Sequence, residues 1–407
     1  MKPKRHPPFF LKIMSLLDIE ELEGRVDNEV VKWGWRNGFP NQMVRTFHAV
    51  GHGAFYTERF FGRNNEPLFC AVYDCGGKGM SSMVQRTFME QETINLLFIS
   101  HLHHDHINGV MKLLSYCHVE RIVLPALEPN SVLEAILFNY ICSLDFASSS
   151  LVLIERLLNG DLGETEITEV NAVLPEHGED LTVELGSLGK KLSSGTAIVV
   201  HREAWRYIPI NIETNNASLL LAELEKAANV SAGYFLDGHG RLDYAKVKKA
   251  VALLGVTKCK KIYERIFGKS HNSYSMPVFS VSAKCLEARC HQFCHCVGST
   301  PMNCHENCLY MGDFEATTKY KQLEIAYQTA GIDYKKIGIL QVPHHGSERN
   351  RNDELYKSNK LCVISAGNHD RYKHPDESVL YAIQHEQSVP IIVTENHKTE
   401  QRFRLSY

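Results

Sequence analysis

Short apolar runs alternate with segments of helical periodicity along the first third of the chain. The runs are rich in β-branched and aromatic residues and end at glycine or polar positions, which is typical of strands. The predicted strands here are MVRTFHAV, LFCAVYDCGG, INLLFIS and RIVLP, and the predicted helices are residues 80–91 and INGVMKLLSYC. This alternation of strand, helix and strand predicts an α/β fold.

The rest of the chain contains further predicted strands, with less regular segments at about 126–270 and at 285–308. Strand-like runs recur in the C-terminal part as MPVFSVSA, LYMGD, IGILQVP and LCVISAG. Because both halves are rich in strands, we expect one sandwich and not two separate domains. We predict an N-terminal helical extension at residues 1–42 and one domain at residues 43–407, with a helical insertion at about 126–270 and a cysteine-rich insertion at 285–308.

The run FISHLHHDHINGV, residues 98–110, crowds histidines behind a predicted buried strand. Its pattern, His-x-His-x-Asp-His, comprises His101, His103, Asp105 and His106. Two imidazoles suit one borderline divalent cation, and a carboxylate with a further imidazole suits a second cation close by. A solvated polar loop is the alternative, but ligand type, spacing and position at a strand end together favour metal binding.

Three later motifs offer further ligands at the ends of predicted strands. LYMGDFEA contains Asp313, LQVPHHGS contains His344 and His345, and NHDRYKHPDES contains His374. Strand ends are where α/β folds collect their active sites. Taken singly, Asp313 could be a turn residue and His374 a helix-entry histidine, but together they complete two metal shells.

These motifs, in this order, resemble the metallo-β-lactamase superfamily, and within it ComEC-type hydrolase domains and phosphorylcholine esterases. The matching segments are FHAVGHGAF, VYDCGG, FISHLHHDHINGV, HNSYSMPVFS, LYMGDFEA, LQVPHHGS, ISAGNHDRYKHP and IIVTENHKTEQRFRL. The resemblance covers about residues 43–125 and 270–407 and is weak between them. It implies an αββα sandwich with a metal site at one edge of the two sheets.

The resemblance also implies two divalent metals, with zinc favoured and manganese as the alternative. The implied ligands are His101, His103 and one of His344 and His345 on the first metal, and Asp105, His106 and His374 on the second, with Asp313 bridging. Adjacent side chains on an extended segment point opposite ways, so we expect only one of His344 and His345 to be a ligand. The pattern does not choose between them.

Other residues are assigned supporting roles by the same resemblance. Asp74 would orient a ligand histidine through its ring N–H. Asp105, Asp313 and His345 are the predicted catalytic residues. His52 stands where the family usually has a glutamine, which changes the chemistry expected at that turn.

Two adjacent divalent metals favour hydrolysis, since they lower the pKa of a bridging water and stabilise charge on ester oxygens. The predicted activity is that of a phosphodiesterase or nuclease acting on DNA or RNA through a metal-bridging hydroxide. Ser347, Arg349 and Asn368 are the predicted substrate-binding residues, and Arg351 is a further cation close by. The alternatives are hydrolysis of a non-phosphate ester, thioester, lactone or β-lactam, and an effector module that recruits a protein partner through residues 126–270.

The cysteine-rich insertion predicts a structural zinc, because small insertions without a core often depend on a metal. The candidate ligands are Cys285, Cys290, Cys294, Cys296, Cys304 and Cys308. A loop of unpaired thiols, or disulfides in an oxidising setting, is the alternative. Outside this insertion, Cys75 is predicted to be a buried packing residue.

Charge and hydropathy indicate which binding partners and which location the sequence favours. The formal net charge is −3, and no apolar run is long enough to span a bilayer, so we predict no membrane association. The basic N-terminal run lacks a small-residue cleavage site, which argues against a signal peptide and favours a reducing, cytoplasmic setting. A second basic run, Lys246–Lys269, suggests either a phosphate-tracking helix face or, as we favour, a solvated amphipathic helix.

Overall fold

The computed structural model describes residues 40–174, 181–200, 204–212, 219–267, 275–283, 305–368 and 373–406. The predicted N-terminal extension, apart from residues 40–42, lies outside the described residues. So do Cys285, Cys290, Cys294, Cys296 and Cys304 of the predicted zinc site.

The strands of the described residues follow the apolar runs of the sequence closely. They are β1 (Gln42–Phe47), β2 (Phe55–Phe61), β3 (Pro67–Cys75), β4 (Thr93–Ile94), β5 (Leu96–Phe98), β6 (His118–Val119), β7 (Arg121–Pro125), β8 (Glu166–Asn171), β9 (Thr182–Glu184), β10 (Lys191–Ser193), β11 (Ala197–Val200), β12 (Trp205–Pro209), β13 (Val278–Ser282), β14 (Cys308–Tyr310), β15 (Ile339–Gln341), β16 (Leu361–Ser365), β17 (Val389–Val393) and β18 (Gln401–Ser406).

The helices of the same residues lie mostly between these strands. They are α1 (Met80–Thr87), α2 (His104–Ile107), α3 (Val110–Tyr116), α4 (Pro129–Ser143), α5 (Ser149–Asn159), α6 (Leu220–Ala228), α7 (Tyr244–Phe267), α8 (Ala316–Thr329) and α9 (Glu377–His385). Helix α7 is interrupted at Gly255, whose φ of 71° and ψ of 163° are not helical.

Two mixed sheets form the centre of the fold. Among the described residues the first sheet has the order β10-β8-β7-β5-β3-β2-β1-β18, and the second has the order β17-β16-β15-β14-β13-β12-β11-β9. Strands β3, β5, β7 and β8 are parallel, as are β14 to β17. The carboxyl ends of parallel strands lie at the same edge, where α/β folds place their sites.

Three hydrophobic clusters define four layers. One cluster packs helices such as α1, α4 and α7 against the outer face of the first sheet. A second, with Phe47, Tyr56 and Tyr310, fills the space between the sheets. A third packs α8 and α9 against the outer face of the second sheet. This arrangement is an αββα sandwich, and it confirms the predicted fold class.

The segment predicted as a helical insertion contains more than helices. It includes α4 to α7, and it also supplies β8 and β10 to the first sheet and β9, β11 and β12 to the second. Strands β9 and β10 have only three residues each, which is too short for a clear pattern in the sequence. Most of the segment is therefore part of the sandwich.

Candidate metal centre

The histidine-rich motif lies on the loop that leaves β5 and on the short helix α2. This loop rests on the glycine turn that follows β3. A Cβ atom placed on Gly76 would lie 2.3 Å from the carbonyl oxygen of Asp105, which is much closer than van der Waals contact. Only glycine allows this approach without moving the backbone. The turn after Asp74 therefore sets the position of Asp105 and His106.

Four of the predicted ligands converge at the edge of the two sheets. One ligand atom each from Asp105, His106, Asp313 and His345 lies within 4.8 Å of all the others. The side chains of His106, Asp313 and His345 are almost fully buried. The sequence places these residues far apart, so the fold brings them together.

Asp313 lies between two sets of histidines. Its Oδ1 is 3.0 Å from Nε2 of His106 and 3.7 Å from Nε2 of His345. Its Oδ2 is 3.8 Å from Nε2 of His101 and 4.0 Å from Nε2 of His344. Each carboxylate oxygen therefore faces a different pair of imidazoles.

Each of these imidazoles is held through its other ring nitrogen. Nδ1 of His106 lies 2.7 Å from Oδ2 of Asp74, and Nδ1 of His345 lies 2.9 Å from the carbonyl oxygen of Ser365. Nδ1 of His344 lies 2.7 Å from Oδ1 of Asn350. A carboxylate or carbonyl can only accept, so Nδ1 is the donor in each of these pairs and Nε2 is the nitrogen left to bind a metal. The Nε2 atoms of His106, His344 and His345 all face Asp313.

Burial and charge together set the protonation of the cluster. Burial raises the pKa of Asp313, but the imidazoles of His106, His344 and His345 outweigh it and hold that pKa well below its usual value. Burial also raises the pKa of Asp105, which His106 and a hydrogen bond with His345 nevertheless lower. Both carboxylates are therefore ionised at neutral pH. Ionised carboxylates are the form that binds a metal.

The backbone around the cluster is strained and tightly held. Asp74, His344 and His345 have φ values of 55°, 49° and 54°, a region that residues other than glycine rarely adopt. Such conformations persist only where the surrounding structure enforces them. The neighbouring turn at Asp313 is held by Ser275, whose Oγ accepts from the Asp313 N–H at 3.0 Å, and by Gln341, whose Oε1 accepts from the Gly312 N–H at 2.7 Å.

His103 is held by residues that the sequence analysis missed. Its Nε2 lies 3.0 and 3.1 Å from the two carboxylate oxygens of Glu134 on α4. Burial lowers the pKa of His103, but the Glu134 carboxylate more than offsets this and raises it. The available signal was one acidic residue inside the apolar run VLEAILF.

One comparison with known protein families matches the segment that carries the histidine motif. Residues 68–143, which contain Asp74 and the whole histidine motif, match the model of the metallo-beta-lactamase superfamily. Over this segment the chain is similar to the metallo-β-lactamase superfamily. A search of curated proteins finds no match. The finer resemblance to ComEC-type domains and phosphorylcholine esterases therefore stays a prediction within this superfamily.

Several solved structures resemble the chain at low identity. Human tRNase Z, short form, is 10% identical, with 86% of this chain and 92% of that chain covered at a TM-score of 0.35. Unliganded yeast PDE1 is 8% identical, with coverages of 91% and 100% and a TM-score of 0.39. MEM-A1, a subclass B3 metallo-beta-lactamase from a soil metagenome library, is 11% identical, with coverages of 56% and 94% and a TM-score of 0.19. Likenesses this weak establish neither an activity nor a substrate for this chain.

Two further histidines lie at the rim of this site. Among the described residues, His374 is not part of the group around Asp313. Its ring centre is 6.1 Å from that of His52 and 6.1 Å from that of His344. His52, in the place of the family's glutamine, has its ring centre 3.8 Å from that of His345 and its Nε2 3.7 Å from Oδ2 of Asp105.

The predicted substrate-binding residues occupy different environments. Ser347 is buried, and its N–H donates to the His344 carbonyl oxygen at 2.9 Å. Arg349 is exposed in the same loop. Arg351 forms a two-point ion pair with Asp353, at 2.6 and 2.8 Å, which reduces its availability to a substrate. Asn368 donates to Oγ1 of Thr394 at 3.2 Å, beyond the end of β16.

Two cysteines that the sequence analysis singled out are buried. Cys75 packs in the cluster between the first sheet and its helices, which confirms its predicted packing role. Cys308 lies in β14 and packs between the two sheets, and burial raises its pKa to about 12. Cys308 is therefore a buried packing residue among the described residues, and its role as a zinc ligand stays a prediction.

The basic run on α7 is largely engaged in local contacts. Lys246 pairs with Asp243 at 3.3 Å, and Arg265 pairs with Glu223 at 2.7 Å. Nζ of Lys258 donates to the carbonyl oxygen of Ala227 at 3.2 Å. These contacts favour the solvated amphipathic helix over a phosphate-tracking face. No helix of the described residues has the length and apolar character that a membrane span requires.

Proposed function

We propose that the chain is a hydrolase that uses two divalent metals, and that it cleaves phosphodiester bonds. One observation carries the proposal: the two carboxylate oxygens of Asp313 face different pairs of histidines at 3.0 to 4.0 Å. A carboxylate in that position is suited to bridge two cations. Two-metal sites are a common solution for ester hydrolysis.

The residues present fit two cations of the zinc type. Nε2 of His101 is buried and makes no hydrogen bond with any described residue, which costs free energy unless a ligand engages it. We assign His101, His103 and His344 to the first cation, and Asp105, His106 and His345 to the second, with Asp313 between them. Imidazole and carboxylate donors suit zinc, with manganese as the alternative.

This assignment revises two expectations from the sequence. His344 and His345 both face Asp313, whereas we expected only one of them to be a ligand. The expectation assumed an extended backbone, but both residues have positive φ values, so their side chains do not alternate. His345 also takes the place on the second cation that was expected for His374. We propose that His374 acts at the rim.

When bound, the two cations supply an activated water and stabilise negative charge on the oxygens of an ester. The chain's own residues then bind and orient the substrate. His52 and His374 are the rim imidazoles that can hold a proton at a ring nitrogen near a leaving oxygen. Arg349, exposed in the His344 loop, offers a cation to a substrate phosphate.

The choice of a phosphodiester rests on charge. A phosphodiester carries negative charge that Arg349 and two cations would attract, whereas a lactone or β-lactam is neutral at the reacting bond. We therefore propose a nucleic acid, DNA or RNA, as the substrate. We also propose a structural zinc in the cysteine-rich insertion and a cytoplasmic location as working hypotheses.

A metal-supplemented activity screen tests the proposal. Wild-type protein should bind about two metals in the Asp313 site and cleave bis(p-nitrophenyl) phosphate, single-stranded DNA or RNA. Asp313→Asn should lower turnover by at least about a hundredfold, since even outer partners of metal ligands contribute up to that amount. Asp333→Asn, an exposed carboxylate that caps a short turn, is the matched control and should retain activity.

Two outcomes would contradict the proposal. The first is full activity on a lactone or β-lactam with none on any phosphodiester, which would overturn the substrate class. The second is wild-type turnover by Asp313→Asn, which would overturn the two-metal mechanism.

A further inference from the structure

Glu134 is a buried carboxylate on an otherwise apolar helix. It lies in α4 between Leu133 and Ala135, and its residue exposure is only 3%. An ionised carboxylate is costly to bury unless hydrogen bonds and a charge partner compensate for the lost water. The contacts that compensate Glu134 therefore indicate why the residue is there.

Those contacts converge on His103. Both carboxylate oxygens of Glu134 lie within hydrogen-bond distance of Nε2 of His103, at 3.0 and 3.1 Å. The hydroxyl of Tyr263, on α7, donates a hydrogen bond to Oε1 of Glu134. The ring of Phe138 stacks on the ring of His103, with centres 3.8 Å apart and planes 16° apart. The ring is thus fixed in position, in orientation and in tautomer.

The neighbouring helices also hold the backbone of the histidine motif. Nδ2 of Asn139 on α4 donates to the carbonyl oxygen of Leu102 at 2.7 Å. Oγ of Ser149 on α5 donates to the carbonyl oxygen of Asn108 at 2.9 Å. Both ends of the loop that carries His103 are therefore attached to helices of the segment 126–270.

We propose that Glu134, supported by Tyr263, is a positioning residue that keeps the proton of His103 on Nε2 and presents its Nδ1 lone pair to the first cation. This proposal rests on the metal site of the proposed function. It gives the segment 126–270 a defined task, because α4 and α7 complete one half of the metal centre.

A change at Glu134 should affect the binding of the first cation only. The ligands assigned to the second cation have anchors of their own, namely Asp74 for His106 and the carbonyl oxygen of Ser365 for His345. Neither anchor touches Glu134 or Tyr263 in the described structure. A change at Glu134 should therefore weaken the first cation and spare the second.

Metal titration of the full chain tests this inference without any substrate. Chelator-treated protein is titrated with Zn²⁺ against a competing indicator, and with Co²⁺ while the visible absorption of the bound metal is followed. The variants are Glu134→Gln, Glu134→Leu and Tyr263→Phe. Glu128→Gln, an exposed acid preceding the same helix, is the matched control.

We expect one of two binding steps to weaken by about 10- to 100-fold in Glu134→Leu, the range for lost outer partners of metal ligands. Glu134→Gln keeps an acceptor for His103 and should lose less. Tyr263→Phe keeps Glu134 in place and should lose the least. The second step should stay within about threefold of wild type in every variant, and the Co²⁺ spectrum of the first site alone should change.

A purely structural role for Glu134 predicts a different pattern. It predicts lower thermal stability of the metal-free variants with both binding steps unchanged, or both steps weakened equally. Either result in folded protein would overturn the proposal, and Tyr263→Phe supplies the test if the Glu134 variants do not fold. A wild-type chain that binds two metals but cleaves no phosphodiester would count against the proposed function alone.

Discussion

Replacement of Asp74 by asparagine should change which nitrogen of His106 carries the proton. Asp74 is fully buried, and its Oδ1 accepts from the Ser100 N–H at 2.7 Å. Its Oδ2 lies 2.7 Å from Nδ1 of His106 and accepts from the Ser100 hydroxyl at 2.7 Å. Asparagine has nearly the same shape but replaces one of these acceptors with a donor.

Both orientations of the new amide are unfavourable. If its oxygen faces the Ser100 N–H, its NH₂ group faces Nδ1 of His106, which must then accept. The proton moves to Nε2, the atom that lies 3.0 Å from Asp313, and His106 can no longer offer a lone pair there. If the amide is reversed, the buried N–H of Ser100 loses its acceptor, which costs about 1–3 kcal/mol of stability.

The expected loss of metal affinity follows from the effect of losing comparable hydrogen-bond partners of metal ligands. Loss of such a partner lowers metal affinity by about 10- to 100-fold. This corresponds to about 1.4–2.8 kcal/mol of binding free energy. Because Asp74 contacts His106 alone among the proposed ligands, the loss should fall on the cation that His106 binds.

Competition titration with Zn²⁺ measures this change, and urea denaturation of the metal-free protein measures stability. Turnover should fall at limiting metal and recover in part at excess metal. The matched control is Glu400→Gln, which alters another, partly buried pair, with Nδ1 of His48 3.1 Å from Oε2 of Glu400, away from Asp313. Wild-type affinity for both metals in folded Asp74→Asn protein would refute this reasoning.

Two further predictions address the packing of the loop and a buried charge. Gly76→Ala places a methyl group 2.3 Å from a backbone oxygen. The free energy of unfolding should therefore fall by about 1–3 kcal/mol in denaturation experiments, and metal binding should weaken. Gly186→Ala is the control, because nothing lies within 4 Å of the added methyl group, and it should change stability by less than about 0.5 kcal/mol. Equal stability of the two variants would contradict this account. Burial lowers the pKa of Lys360 from 10.5 to about 8. Between these pH values the folded state therefore binds fewer protons than the unfolded state. The free energy of unfolding should rise by up to about 3 kcal/mol as the pH increases from 8 to 10.5. Lys360→Met should lack this gain, and parallel pH profiles of the two proteins in urea would exclude it.

Local patterns in the sequence were sufficient for the sandwich and for the main ligand motifs. Alternating strands and helices are encoded by neighbouring residues, as in LFCAVYDCGG and INLLFIS. The histidine motif likewise lies within a short run after β5, so residue type and spacing reveal its chemistry. These features depend on residues that are close together in the chain, and they can therefore be predicted from the sequence.

Only the tertiary structure decided how the candidate ligands are oriented and held. The positive φ values of His344 and His345 turn both side chains toward Asp313, a result of packing that no local pattern of extended chain predicts. Glu134 and Tyr263 meet across 129 positions of sequence, and Gln341 reaches the Asp313 turn across 29. Such partners are chosen by the docking of helices and strands that are distant in sequence. The sequence by itself thus determined which groups could bind metal, and the fold determined how each group is oriented.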